Sequence, residues 1–158
     1  MSSRIIAPLL LVSALAFACG PLSHSKEVEA TPDRAAAADA VTDTVGGEVA
    51  ASLVVAVGPE VGIALEVANA AGHQVELDFA DGQTHDVAIL DEGGREVWRW
   101  SEGRLFTTAV QTRLLGADES ARYEEAWEPA GRRGTYTAVA TLRSGRYPVE
   151  LRREFTLN

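Results

Sequence analysis

From Gly47 to the end of the chain, apolar residues recur at every second position in short segments separated by turn residues, the pattern of strands with one buried face. Ile63, Leu65 and Val67 fall on one face with Glu66 on the other, and Val75, Leu77 and Phe79 alternate with Gln74, Glu76 and Asp78. His85, Val87 and Ile89 continue the rhythm. The run DEGG, Asp91 to Gly94, is a tight-turn signal and predicts a hairpin returning through Arg95 to Trp100. An opening strand over Val49 to Val57 and runs over Phe106 to Leu115, Ala121 to Trp127, Thr135 to Leu142 and Val149 to Leu157 bring the expectation to eight or nine strands. Ala71 and Gly72, ahead of His73, predict a further hairpin turn.

No segment of helical period interrupts the strands, which excludes βαβ architectures and their ligand-binding switch points. The expected fold class is all-β, an antiparallel immunoglobulin-like β-sandwich of about eight strands held together without a disulfide. Tyr136 opens the alternation Tyr136, Ala138, Ala140, Leu142. It is either a corner tyrosine whose hydroxyl bonds back to the chain or a plain half-buried strand residue.

The first part of the chain reads differently. Arg4 is followed by an uncharged apolar run from Ile5 to Ala18, too short to span a bilayer as a helix, and the small residues Ala16 and Ala18 suit a signal peptidase. Residues 1–18 are therefore expected to be a signal peptide. Cys19, directly after them, resembles the acylated cysteine of a bacterial lipobox, although Ala16 stands where leucine is usual. Acyl chains on Cys19 would anchor the protein to a membrane by about 0.8 kcal/mol per buried methylene. Gly20 rather than Asp follows the cysteine. In a Gram-negative cell that favours the outer membrane, so the expected location is the cell envelope after export. Residues 19–47, with two prolines, several acids and no aromatic residue, read as a lipidated N-terminus and flexible tether. The sandwich domain is then expected over residues 48–158.

Composition narrows the chemistry. The chain has 158 residues, enough for one core, and a net charge of −9 without a basic cluster, which excludes nucleic acid as a partner. One cysteine and three histidines leave no disulfide and no structural zinc set. His73 and His85 are the only neutral-pH bases of the domain, and both read as surface polar residues in turn or strand text, His85 beside Asp86. No catalytic residue is assigned, and the protein is expected not to be an enzyme. Asp78, Asp81 and Asp86 lack the spacing of a calcium loop and read as solvated acids. No metal or other cofactor is expected. Trp98 and Trp100 share a face and are either core or a platform for stacking sugars.

Several segments together carry a resemblance. LEVAN at Leu65 to Asn69, LDFADGQTHDVAI, VWRWSEGRLF at Val97 to Phe106, the YEEAW run ending in Trp127, and GTYTAVATL at Gly134 to Leu142 resemble, in order and spacing, the BsuPI-type intracellular proteinase inhibitor domain. The resemblance implies a small β-sandwich able to inhibit a subtilisin-like or other serine proteinase, here in the cell envelope because of the expected export signal. Such an inhibitor lays an exposed, rigid segment into the enzyme's cleft. The candidate segment is Ser101, Glu102, Gly103, Arg104, Leu105 and Phe106, with Leu105 or Phe106 suited to an apolar primary pocket. Glu128 to Gly134 and Ser144 to Pro148 are alternatives that offer an arginine. The competing expectation is a protein- or glycan-binding structural module of the envelope.

Overall fold

The structure, a computed structural model, describes residues 41–45 and 47–158. The expected signal peptide, Cys19 and the tether as far as residue 40 lie outside the described residues. Ten strands form: β1 (Val41–Val45), β2 (Val49–Val57), β3 (Val61–Asn69), β4 (Val75–Phe79), β5 (His85–Asp91), β6 (Glu96–Arg99), β7 (Gln111–Leu115), β8 (Ser120–Trp127), β9 (Gly134–Leu142) and β10 (Val149–Leu157). There is no helix among the described residues. One sheet has the order β1-β2-β3-β8, the second β10-β9-β5-β6, and β4 pairs with β7 as a separate ribbon. Every pairing is antiparallel.

The alternation read from the sequence is what buries the core. Val49, Ala51, Leu53 and Val55 of β2 face inward beside Val61, Ile63, Leu65 and Val67 of β3, against Tyr136, Ala138, Ala140 and Leu142 of β9 and Val149, Leu151, Phe155 and Leu157 of β10. A one-residue slip in any of these strands would turn its whole apolar set into solvent, so the pattern fixes the register. Trp127, Tyr136 and Phe155 plug one end, with ring centroids 5.2 to 6.3 Å apart. Tyr136 is a corner tyrosine: its hydroxyl donates to the Arg133 carbonyl at 3.3 Å. The DEGG hairpin forms as expected, closed by the Gly94 amide on the Asp91 carbonyl and by Arg95 on the Asp91 side chain.

Four sequence expectations need correction. The tether reading extends to Gly47, but Val41–Val45 pairs along β2, so pairing begins inside it. Of the expected strand Phe106 to Leu115, only Gln111–Leu115 pairs; residues 106–110 alternate in sequence yet have no neighbouring strand. The turn at His73 is not a hairpin, because β3 and β4 belong to different sheets. Asn69 makes that crossing: its buried amide donates to the carbonyls of His73, Leu115 and Gly116 at 2.7 to 3.1 Å, and its oxygen accepts from the Ala71 amide. Finally, His85 and Asp86 are buried rather than surface residues, one on each face of β5.

The registers sort the loops by end. His85 aligns with Leu142 and Asp91 with Tyr136, so the Ser144 to Pro148 turn lies at the end where β5 begins. The Glu128 to Gly134 turn lies at the other end, with the DEGG hairpin. Strand β6 runs back from that hairpin towards the His85 end, where the chain leaves it at Trp100.

Candidate functional site

The segment Ser101 to Val110 connects β6 to β7 at the His85 end of the sandwich. Its start is held by a charged network. Asp86, buried on β5, accepts from Arg99 at 2.5 Å and from the Ser101 hydroxyl at 3.1 Å, and Arg99 also binds Glu96. Glu96 and then Asp86, against the cost of partial burial, push the Arg99 guanidinium above its ordinary range. Next come two turns, Glu102 amide to Arg99 carbonyl and Arg104 amide to Ser101 carbonyl, with Gly103 at a φ of 73° that a side chain would strain. Arg104 folds back, donating to the Trp100 carbonyl at 2.8 Å and lying 4.6 Å over its ring.

The far end of the segment is held by contact and backbone. Phe106 is half-buried against Trp100, ring centroids 5.6 Å apart. The Thr107 carbonyl accepts from the Gly82 amide at 2.8 Å. Between these two anchors the backbone of residues 104–106 pairs with no strand, and Leu105 is 99% exposed. The four large apolar side chains that stand in solvent among the described residues are Val57, Leu105, Val110 and Leu114, and three of them belong to this connection and the strand it enters.

Beneath the loop lies an aromatic stack. His85 stacks on Trp100 with centroids 4.3 Å apart and approaches Tyr123 at 4.6 Å. Its Nε2 is 3.0 Å from Glu125 and its Nδ1 is 3.2 Å from the Thr84 hydroxyl. With Nε2–H donating to the carboxylate, Nδ1 accepts from Thr84, an assignment made from the partners. The ring thus serves as a bonded core plank under the loop. The signal for this was present in the sequence, since His85 has the parity of Val87 and Ile89. Trp98 and Trp100 are half-buried against the core, and His85 and Arg104 cover Trp100, which leaves that ring without an open face for stacking.

The alternative loops are tied down differently. In Glu128 to Gly134, Arg132 lies 5.9 Å over the Trp127 ring and Arg133 receives the Tyr136 hydroxyl. In Ser144 to Pro148, Asp78 of β4 accepts from the Arg146 amide at 2.9 Å and from Ser144, and the buried Tyr147 donates to Glu48 at 2.6 Å. The Arg146 amide, then Ser144 and the Arg146 charge, outweigh desolvation and hold the Asp78 carboxyl below its ordinary value. Asp81 accepts from the Gln83 amide. The acids considered for calcium are thus engaged as turn and strand anchors, and no trio of His, Cys, Asp or Glu converges among the described residues. His73 is exposed, 3.3 Å from Glu48.

Among solved structures, a Bacteroides uniformis beta-glucuronidase, described bound covalently to cyclophellitol-6-carboxylate aziridine, is similar over 75% of this chain at 16% identity and a TM-score of 0.39. The chain spans 12% of that enzyme's length. The yjhA protein from Bacillus subtilis is similar over 75% of this chain and 96% of its own, at 11% identity and a TM-score of 0.37. No curated protein matches the sequence. A family model described as BsuPI, intracellular proteinase inhibitor, matches residues 49–147, a span from the first residue of β2 through the anchored loop to Tyr147, and the chain belongs to that family.

Proposed function

We propose that this protein inhibits a subtilisin-like or other serine proteinase, and that the loop Ser101 to Phe106 is the segment it lays in the enzyme's cleft. One observation carries the choice of loop: Leu105 stands 99% exposed in unpaired backbone whose two ends are fixed by Asp86 and Gly82. An inhibitor of this kind needs a strand-like stretch that an enzyme can pair with and a side chain for its primary pocket, and it gains affinity when that stretch is already ordered. Leu105 is the pocket residue of this reading, because Phe106 is spent on Trp100. Family membership supports a proteinase as the partner class.

The reading places inhibition outside the cytoplasm, on a domain exported by residues 1–18 and anchored through lipid on Cys19; the run Ile5 to Ala18 and its small residues support it. The test is a titration of the domain against subtilisin-like and trypsin-like proteinases, with residual activity and loop cleavage as readouts. Stoichiometric inhibition of an enzyme that prefers leucine, lost on Leu105→Asp, is expected. Inhibition unaffected by Leu105→Asp would move the contact to another loop, and a folded domain that inhibits no member of the panel would favour the envelope binding module.

A further inference from the structure

The exposed loop carries two neighbouring side chains that suit a primary pocket. Arg104 suits an enzyme that cuts after basic residues, Leu105 one that cuts after apolar residues, and both stand at the surface. They are held very differently. The Arg104 amide donates to the Ser101 carbonyl at 3.1 Å, and its Nε donates to the Trp100 carbonyl at 2.8 Å. The guanidinium then lies 4.6 Å over the Trp100 ring. Trp100 is itself packed against His85, Phe106 and the core, so Arg104 is fastened to the firm base of the loop at both its backbone and its side chain. Leu105, one residue further on, is 99% exposed and holds to nothing.

An enzyme strand that docks on the loop meets this difference twice. Antiparallel pairing uses the backbone of alternate residues, and the Arg104 amide is spent on Ser101, so the parity left open to the enzyme is that of Leu105. To enter a deep acidic pocket, the Arg104 side chain would also have to give up its charge-assisted hydrogen bond and its ring contact. We propose that Arg104 is the specificity-determining residue of the loop: folded onto Trp100, it withdraws the only cation of residues 101–106 from enzymes that take arginine and leaves Leu105 for enzymes that take leucine. It acts as a positioning residue, and it selects by denying one class of enzyme as much as by serving the other. That a proteinase is the natural partner rests on the reading given under Proposed function, while the shielding of Arg104 stands apart from it.

Trypsin reads that shielding directly, in a domain that inhibits or one that does not. The rate of cleavage after residue 104 in the folded domain, compared with that in a capped peptide of residues 99–108, gives the protection of this bond. Arg104→Lys keeps the charge and the trypsin site but lacks the Nε donor and the planar face. Its reference peptide carries the same lysine, which removes trypsin's own preference from the comparison. Protection in the wild type is expected to exceed that in Arg104→Lys by about tenfold or more, at an unchanged melting temperature. A leucine-preferring enzyme is expected to bind Arg104→Lys about tenfold more weakly and to hydrolyse its loop faster. Equal protection in the two proteins, trypsin inhibition that is lost in Arg104→Ala, or leucine-class inhibition indifferent to Arg104→Lys overturns the proposal. Arg104-dependent protection in a domain that inhibits no enzyme would sink the inhibitor reading, while Arg104 would still decide which proteinases can engage the loop.

Discussion

Gly82 and Thr107 are so close that a β-carbon on the glycine would stand 2.6 Å from the threonine hydroxyl and 3.1 Å from its amide nitrogen. The Gly82 amide meanwhile donates to the Thr107 carbonyl. The turn between β4 and β5 therefore clamps the far end of the exposed loop, and only the smallest residue allows the clamp to close. Gly82→Ala is expected to push Thr107 away, cost about 1–3 kcal/mol of stability, and speed cleavage of the loop by a proteinase that the wild type resists. Equal cleavage rates for the two proteins in a time course would refute this role for the clamp.

Leu105 makes the opposite case. Its side chain lies in solvent, so Leu105→Asp should leave thermal stability within about 0.5 kcal/mol of wild type. The same substitution is expected to weaken inhibition by about thirtyfold or more, as loss of an anchor residue does at a tight interface. Melting curves and inhibition constants, measured on one preparation, check both halves.

Asn69 is the stability counterpart. Removal of its amide in Asn69→Ala leaves the carbonyls of His73, Leu115 and Gly116 without their donor, for an expected loss of about 2–3 kcal/mol. Urea denaturation would show a lower midpoint at unchanged slope. A midpoint within error of wild type would mean that the crossing from β3 to β4 holds without this side chain.

Acid sensitivity follows from Asp78. Its carboxyl is held below the ordinary value of 3.8 by the Arg146 amide first, with Ser144 and the Arg146 charge adding to it. A carboxyl depressed in the folded state contributes stability that is complete above 3.8 and is lost as pH falls through the lower folded value. Asp78→Asn is therefore expected to be less stable than wild type at neutral pH and to lose less on acidification below 3.8. Melting temperatures of the two proteins that stay parallel across that range would contradict it. Asp91, depressed by the Arg95 amide, adds to the acid lability of both.

The sandwich was legible because alternation is a local property. Ile63, Leu65 and Val67 state their face within five residues, and DEGG states its turn within four. What escaped depends on neighbours far away in the chain. Phe106 to Val110 alternates like a strand, but whether a strand forms is decided by a partner, and none lies beside it. Val41 to Val45 carries Asp43 on the parity of its two valines, so period two gave no sign of β1. His85 was misplaced because its polarity outweighed its parity, when Glu125 and Thr84 satisfy both ring nitrogens inside the core. The loop itself was visible through the WSEGRLF text. Its two anchors were not, since Asp86 and Gly82 are joined to it only by folding.

The direction of β1 gives the domain a front and a back. Val45 lies beside Val49, and Val41 beside Leu53, so β1 starts beside the middle of β2 and runs away from the Trp127 end towards the end that bears Leu105. Leu157, registered with Gly134, brings the last strand out at the Trp127 end. A label or surface linkage placed after Leu157 would therefore leave from the end opposite Leu105 and keep the loop open to an incoming enzyme.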